Sequence, residues 1–336
     1  MQRMWLNLTT ITPPLALPPP PPSLRPHPMY RLLATPFILY GLLKLYYVIF
    51  HRADNKPIHL EMDTPPPTRQ TMAKGALIVA VGGKKNGYTG ESSLKMPEAT
   101  VLLREIPAGP SFDAYTKLLA KYGAGNQLYG FVHFIPAAGA LVTHDSFPIA
   151  PLGLIHIRQE VEWKAGSAFS ASSKCSGKLE MKGAARTVKG LEVSVAQTVP
   201  NKMNGVITFL SRGGGLRNKG ESGEQEDDIQ YEEERREHLP ATLGVDYATI
   251  SGDWNPFHVS KLGAKLLGFR GMIAHGMFTA ALGLKPDTSP RSMTFSFKRP
   301  CVLPADVSIL RDSTGEHFKV VSARNGEPYV VGSIRY

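Results

Sequence analysis

From residue 75 onward the apolar and polar positions alternate regularly enough to predict elements. Residues 112–122 (FDAYTKLLAKY) place apolar side chains at helical spacing, and 128–144 (LYGFVHFIPAAGALVTH) form a longer apolar-rich helix candidate that Pro136 weakens. Strand-like alternations follow at 154–163, 169–179, 185–199 and 204–210, several of them separated by Gly or Pro turns. A long helix followed by antiparallel strands predicts a sheet wrapped round that helix.

The order then repeats. Residues 247–269 read as a turn-rich loop with short helices, and 273–284 (IAHGMFTAALGL) as a helix rich in small residues. Strands are predicted at 291–298, 307–311, 317–323 and 329–336. The two halves share an order of elements but not their residues, so the chain reads as two similar α+β domains side by side. Between them, 213–238 is glycine-bearing and charged, with nine acids against two arginines in 221–237. We read it as a solvated linker, since a run of like charge repels itself.

The first 28 residues are dominated by proline and cannot build a core. Residues 29–50 (MYRLLATPFILYGLLKLYYVIF) match a bilayer in length, although they contain Lys44. A membrane anchor and a cleaved organellar leader both fit this segment, so we take 1–55 as a leader with a targeting or membrane function. Residues 56–74, which hold three consecutive prolines, are read as a linker. The expected location is membrane-associated or mitochondrial/organellar. The C-terminal Ser333-Ile334-Arg335-Tyr336 differs from a Ser-Lys-Leu address, which argues against the peroxisome.

Composition adds little that competes with this. The 336 residues are 42% hydrophobic, enough for two packed domains. The net charge is +10, but five of those charges (Arg3, Arg25, Arg31, Lys44, Arg52) lie in residues 1–53, which contain no acid, so +5 remains. No basic stripe interleaved with aromatics appears, and no nucleic-acid partner is expected. Cys175 and Cys301 have no disulfide or zinc spacing and are read as core or strand residues; no metal or cofactor is expected.

The chemistry concentrates in 247–258 (YATISGDWNPFH) and 268–277 (GFRGMIAHGM). Gly252 and Pro256 bracket a tight loop, so that Asp253 and His258, five residues apart, can converge. Such a pair can have its pKa values driven apart, one group acting as base and the other as proton donor. Gly276, early in a helix, offers a free N–H to a developing oxyanion. Taken singly, Asp-x-Asn-Pro is also a turn or cap, and His258 a structural histidine. His275 is read as capping or packing at its helix start, without a catalytic role, and Arg270 as a surface residue.

The run SGDWNPFHVSKLGAKLLGF followed by IAHGM resembles the signature of the MaoC-like dehydratases, the R-specific enoyl-CoA hydratases of hot-dog fold. FKRP with Leu303-Pro304 resembles the strand that follows in that family, and FPIAPLGLIHIRQEVEW resembles the corresponding region of double hot-dog members. The resemblance implies a degenerate first hot-dog domain (75–212) that contributes packing and an acyl tunnel, and a catalytic one (239–336). It implies Asp253 and His258 as the catalytic pair, Asn255 holding the loop or a water, and the Gly276 amide as oxyanion donor. Ser260, where many members have Asp, and Phe257, which replaces an aliphatic residue, depart from the pattern.

The activity implied is a lyase: reversible hydration of trans-2-enoyl thioesters, on CoA or an acyl carrier, to (R)-3-hydroxyacyl thioesters in fatty acid metabolism. A non-catalytic thioester-binding or scaffold protein, and a membrane-anchored subunit of a larger lipid-synthesis complex, are the competing readings. A monomer and a homodimer are equally allowed.

Overall fold

The computed structural model describes residues 57–63, 96–106, 110–144, 146, 147, 149, 154–166, 168–172, 175–211 and 229–336. The leader, with its apolar stretch 29–50, lies outside them. No helix among the described residues is long and apolar enough to cross a membrane.

The first half runs β1 (Ile58–Met62), β2 (Ala99–Ile106), α1 (Pro110–Ala120), α2 (Tyr129–Val132), α3 (Phe134–Val142), β3 (Leu154–Trp163), β4 (Cys175–Thr187), β5 (Gly190–Val199) and β6 (Met203–Ser211). The second runs β7 (Glu232–Leu239), α4 (Leu243–Ser251), α5 (Pro256–Val259), α6 (Lys261–Leu266), α7 (Gly276–Ala281), β8 (Ser292–Phe297), β9 (Ala305–Arg311), β10 (His317–Ser322) and β11 (Pro328–Arg335). Among the described residues, eleven strands join one sheet in the order β1-β2-β4-β5-β6-β3-β8-β11-β10-β9-β7. Outward from the centre, β3-β6-β5-β4-β2 on one side matches β8-β11-β10-β9-β7 on the other. The repeat seen in the order of elements is therefore also a repeat of topology. The halves meet where β3 and β8 pair antiparallel, with Arg158 opposite Ser296 and Glu162 opposite Ser292.

The strands form because their apolar residues recur at period two. In β5, Leu191, Val193, Val195 and Val199 are buried while Glu192, Ser194 and Thr198 are half-buried. The core joins these side chains to helix residues in both halves: Tyr115, Phe131 and Phe134 in the first, Tyr247 and Phe278 in the second. Aromatic contacts cross between the halves. Tyr122 meets Phe278 edge-on at 5.3 Å, and Tyr115 lies 6.2 Å from Tyr247.

Several expected boundaries differ from the structure. The charged stretch 213–238 is not linker throughout, because 232–239 forms β7, the strand that stands to the second half as β2 stands to the first. An edge strand tolerates charge on its open side. Its acids are also compensated: Glu234 pairs with Arg311 of β9, and Glu233 with Arg236 at 2.9 Å. Residues 58–62, inside the proposed linker 56–74, pair in parallel with β2 through an apolar alternation only five residues long. Strand β2 was not predicted.

The helix candidate 128–144 is two helices that meet at His133. Pro136 lacks the N–H that would bond the carbonyl of Val132, so the second helix starts afresh with Pro136 in its first turn. The candidate 273–284 is helical only from Gly276 to Ala281, because Ile273 bridges Val302 and the Ala274 N–H donates to the Cys301 carbonyl. Strand β4 extends to Thr187, and the turn after it is tied by Thr187 Oγ1, which donates to the Gly190 carbonyl at 3.2 Å. That turn fell inside the strand expected at 185–199. Both cysteines are free: Cys175 opens β4, and Cys301 is buried.

Candidate active site

The loop carrying Asp253 is built from both ends. Helix α4 stops at Gly252, whose φ of 73° lies in the left-handed region that glycine adopts without a Cβ clash, and whose N–H caps the Ala248 carbonyl at 2.9 Å. Helix α5 starts with Pro256 in its first turn, where a missing N–H leaves no bond unmade. Between them, Ser251 Oγ accepts from the Asp253 N–H at 3.2 Å and donates to the Tyr247 carbonyl at 2.9 Å. The Asn255 N–H donates to Asp253 Oδ1 at 3.3 Å. The Asn255 main chain thus holds the loop, while its buried side-chain Oδ1 has no partner among the described residues.

Asp253 and His258 are both buried, 9% and 6% exposed, and face each other with Oδ2 and Nε2 3.9 Å apart. Nδ1 of His258 lies 2.7 Å from the Ile273 carbonyl, which can only accept. That bond fixes the proton on Nδ1, so Nε2 presents its lone pair toward the carboxyl group. Phe257 meets the His258 ring edge-on with centroids 4.4 Å apart and also meets Phe269, so the aromatic departure from the family pattern has a packing role. Ser260 likewise has one: its Oγ accepts from the Gly263 N–H at 3.2 Å and caps α6.

The electrostatics differ from the expectation that the two pKa values would separate. Burial pushes the Asp253 carboxyl above its usual range, against the pull of His275 and of the Asn255 N–H. Burial likewise pushes His258 well below the usual imidazole range, and His275 adds to that. The two values move toward each other because desolvation disfavours the carboxylate and the imidazolium alike.

His275, set aside in the sequence, is part of this cluster. It is 2% exposed, its Nε2 lies 2.8 Å from the Asp253 main-chain carbonyl, and its ring stacks on His258 with centroids 3.8 Å apart and planes at 23°. Gly276 opens α7 beside it. A β-carbon there would stand 2.9 Å from the Phe297 ring, so in this structure the glycine makes room for Phe297.

Asp253, His258 and His275 bring one potential metal ligand each to within 4.8 Å of one another. The arrangement does not suit an ion. The two stacked imidazoles hold their in-plane lone pairs in nearly parallel planes with centroids 3.8 Å apart, an arrangement poorly suited to placing both nitrogens about 2.0–2.1 Å from one metal. The nitrogens turned to Ile273 and Asp253 are already occupied. A groove of about 520 Å³ lies between α1 and α4, lined by Ser111, Lys117, Leu118, Lys121, Asp246 and Ile250 among others, and none of the three clustered residues borders it.

Residues 223–286 match the family of the MaoC like domain. The chain is 27% identical to 3-hydroxyacyl-thioester dehydratase X of Mycobacterium tuberculosis, over 72% of this chain and 90% of that protein. A stretch covering 36% of this chain and 6% of the fatty acid synthase subunit beta of Saccharomyces cerevisiae is 30% identical. Among solved structures, HtdX of Mycobacterium tuberculosis superposes with a TM-score of 0.56 at 25% identity, over 70% of this chain and 99% of that one. A MaoC-like dehydratase from Phytophthora capsici does so at 0.52 with 17% identity, over 74% and 98%, which bears on the fold alone.

Proposed function

We propose that Asp253 and His258 interconvert trans-2-enoyl and (R)-3-hydroxyacyl thioesters, a reading supported by the MaoC like domain matched over residues 223–286 and by the two hot-dog halves of the fold. The observation that carries this reading is the facing of the buried Asp253 Oδ2 and His258 Nε2 across 3.9 Å, with the imidazole proton held on the far nitrogen.

At that separation one oxygen, of water or of a 3-hydroxyl group, can hydrogen-bond to both side chains when it sits to one side of the line joining Oδ2 and Nε2. Burial favours the pair with both groups neutral, a protonated carboxyl beside a neutral imidazole. In hydration, Nε2 takes a proton from the attacking water while the Asp253 carboxyl delivers one to the α-carbon. The proton on Nε2 then passes to the carboxylate and restores the starting pair. Because desolvation disfavours the carboxylate and the imidazolium alike, that return to the neutral pair is favourable. The Gly276 N–H is the donor we assign to the thioester oxygen, where negative charge develops. The first half, which lacks an Asp-x-Asn-Pro-x-His run, supplies packing.

The test is to incubate the full chain with trans-2-enoyl-CoAs of increasing length and with the same acyl groups on a carrier protein. Loss of the conjugated enoyl absorbance is followed and the product configuration determined. Turnover to the R product that disappears in Asp253→Asn supports the assignment. No turnover on either thioester class removes it and leaves thioester binding without catalysis.

A further inference from the structure

We infer that His275 is a positioning residue for the reaction proposed above, on which this inference rests: its Nε2–H holds the Asp253 carbonyl while its ring supports the His258 imidazole.

Its place in the chain suggests a helix cap, and the geometry excludes that. His275 occupies the position before α7, yet its side chain makes no capping hydrogen bond. Its Nε2 lies instead 2.8 Å from the main-chain oxygen of Asp253, 22 residues away. A carbonyl oxygen can only accept, so the imidazole proton sits on Nε2 and Nδ1 is bare. Nδ1 is buried and has no partner among the described residues. A phenylalanine would fill the same space without an orphaned acceptor, so what histidine adds is the hydrogen bond to Asp253.

That bond acts at a sensitive point. The Asp253 peptide lies between the left-handed Gly252 and the start of α5, and rotation of this peptide swings the carboxyl group. The stacked ring, 3.8 Å from His258, sets the other wall. Tyr247, from α4, meets the outer side of the arrangement with its ring 4.7 Å from His275. One side chain therefore touches both members of the pair and sets their spacing, without itself lying between Oδ2 and Nε2.

Two substitutions separate the bond from the ring. His275→Phe keeps a ring and loses the donor, whereas His275→Gln places an amide nitrogen where Nε2 sits and loses the ring. Wild-type turnover is measured first; its absence defeats the functional reading and not this one, which the ¹⁵N shifts of the His258 imidazole still report. The Phe variant is expected to lose kcat by on the order of 100-fold with KM little changed, and to shift the pH profile of kcat. The Gln variant is expected to recover most of that loss. A Phe variant with wild-type kcat and pH profile, or Phe and Gln variants equally impaired, overturns the inference. Should the Phe variant fail to fold, His275→Asn replaces it, because its shorter amide reaches only the Nδ1 position. Asn and Gln variants of equal activity and equal His258 shifts then overturn it.

Discussion

Gly244 and the main-chain carbonyl of His258 lie so close that a β-carbon at position 244 would stand 1.9 Å from the oxygen. Helix α4, which leads into the Asp253 loop, is thereby pressed against α5, which carries His258. The spacing of the two proposed catalytic residues is set partly by a glycine nine positions upstream of the aspartate.

Gly244→Ala must therefore move His258. We expect a fall in kcat on the order of 100-fold, since displacing a reacting group by about 1 Å has that effect. The overpacked methyl should also destabilise the fold by about 1–3 kcal/mol. Steady-state kinetics and thermal unfolding on the same preparation check both. An alanine variant with wild-type kcat would show that α5 is not fixed by this contact.

Asp253→Asn and His258→Gln are each expected to lower turnover by about 10²–10⁴-fold while the fold persists. In the proposed mechanism the two groups exchange one proton and act as a unit, so the double variant should be little worse than the poorer single one. Multiplicative losses in the double variant would mean that the residues work independently.

The fold itself should be sensitive to acid through His133, which is 3% exposed and whose pKa burial alone lowers from 6.5 to about 4. Above pH 6.5 both the folded and unfolded states hold this imidazole neutral, and it has no effect. Between there and about pH 4 the unfolded chain takes up a proton that the folded one refuses. Stability then falls with falling pH by about 1.4 kcal/mol per unit. Below about pH 4 the folded state binds the proton too, and this slope ends. Urea unfolding at pH 7, 6 and 5 should show a slope shallower by that amount in His133→Phe, and an unchanged slope would remove His133 as the source.

Strand β7 depends on charge compensation. Arg311, 6% exposed, pairs with Glu234 and also donates to the Gly283 carbonyl at 2.7 Å. Glu234→Gln leaves that guanidinium without its counter-charge, and because Glu234 itself is partly solvated we expect about 2 kcal/mol of destabilisation rather than the full value for a buried pair. Chemical denaturation measures it. Loss of less than about 0.5 kcal/mol would place this pair with ordinary surface ion pairs.

Much of this protein is determined locally. The period-two runs that become β3, β5, β6 and β8 to β11, the repeated order of elements, and the Gly252 to Pro256 loop with Asp253 and His258 could all be read from the sequence. Each depends on side-chain spacing or on backbone preferences of single residues. Other features rest on contacts between distant segments, which spacing does not encode. Residues 232–239 looked like solvated linker because their partner, Arg311, lies more than seventy positions away. His275 looked like a helix cap because the carbonyl it holds belongs to Asp253. The direction of the pKa shifts was also decided by tertiary structure: an aspartate is pushed up and a histidine down only when packing removes water from both. The sequence names the two groups, and only the fold sets their separation, their tautomer and the dry surroundings that disfavour the charged form of each.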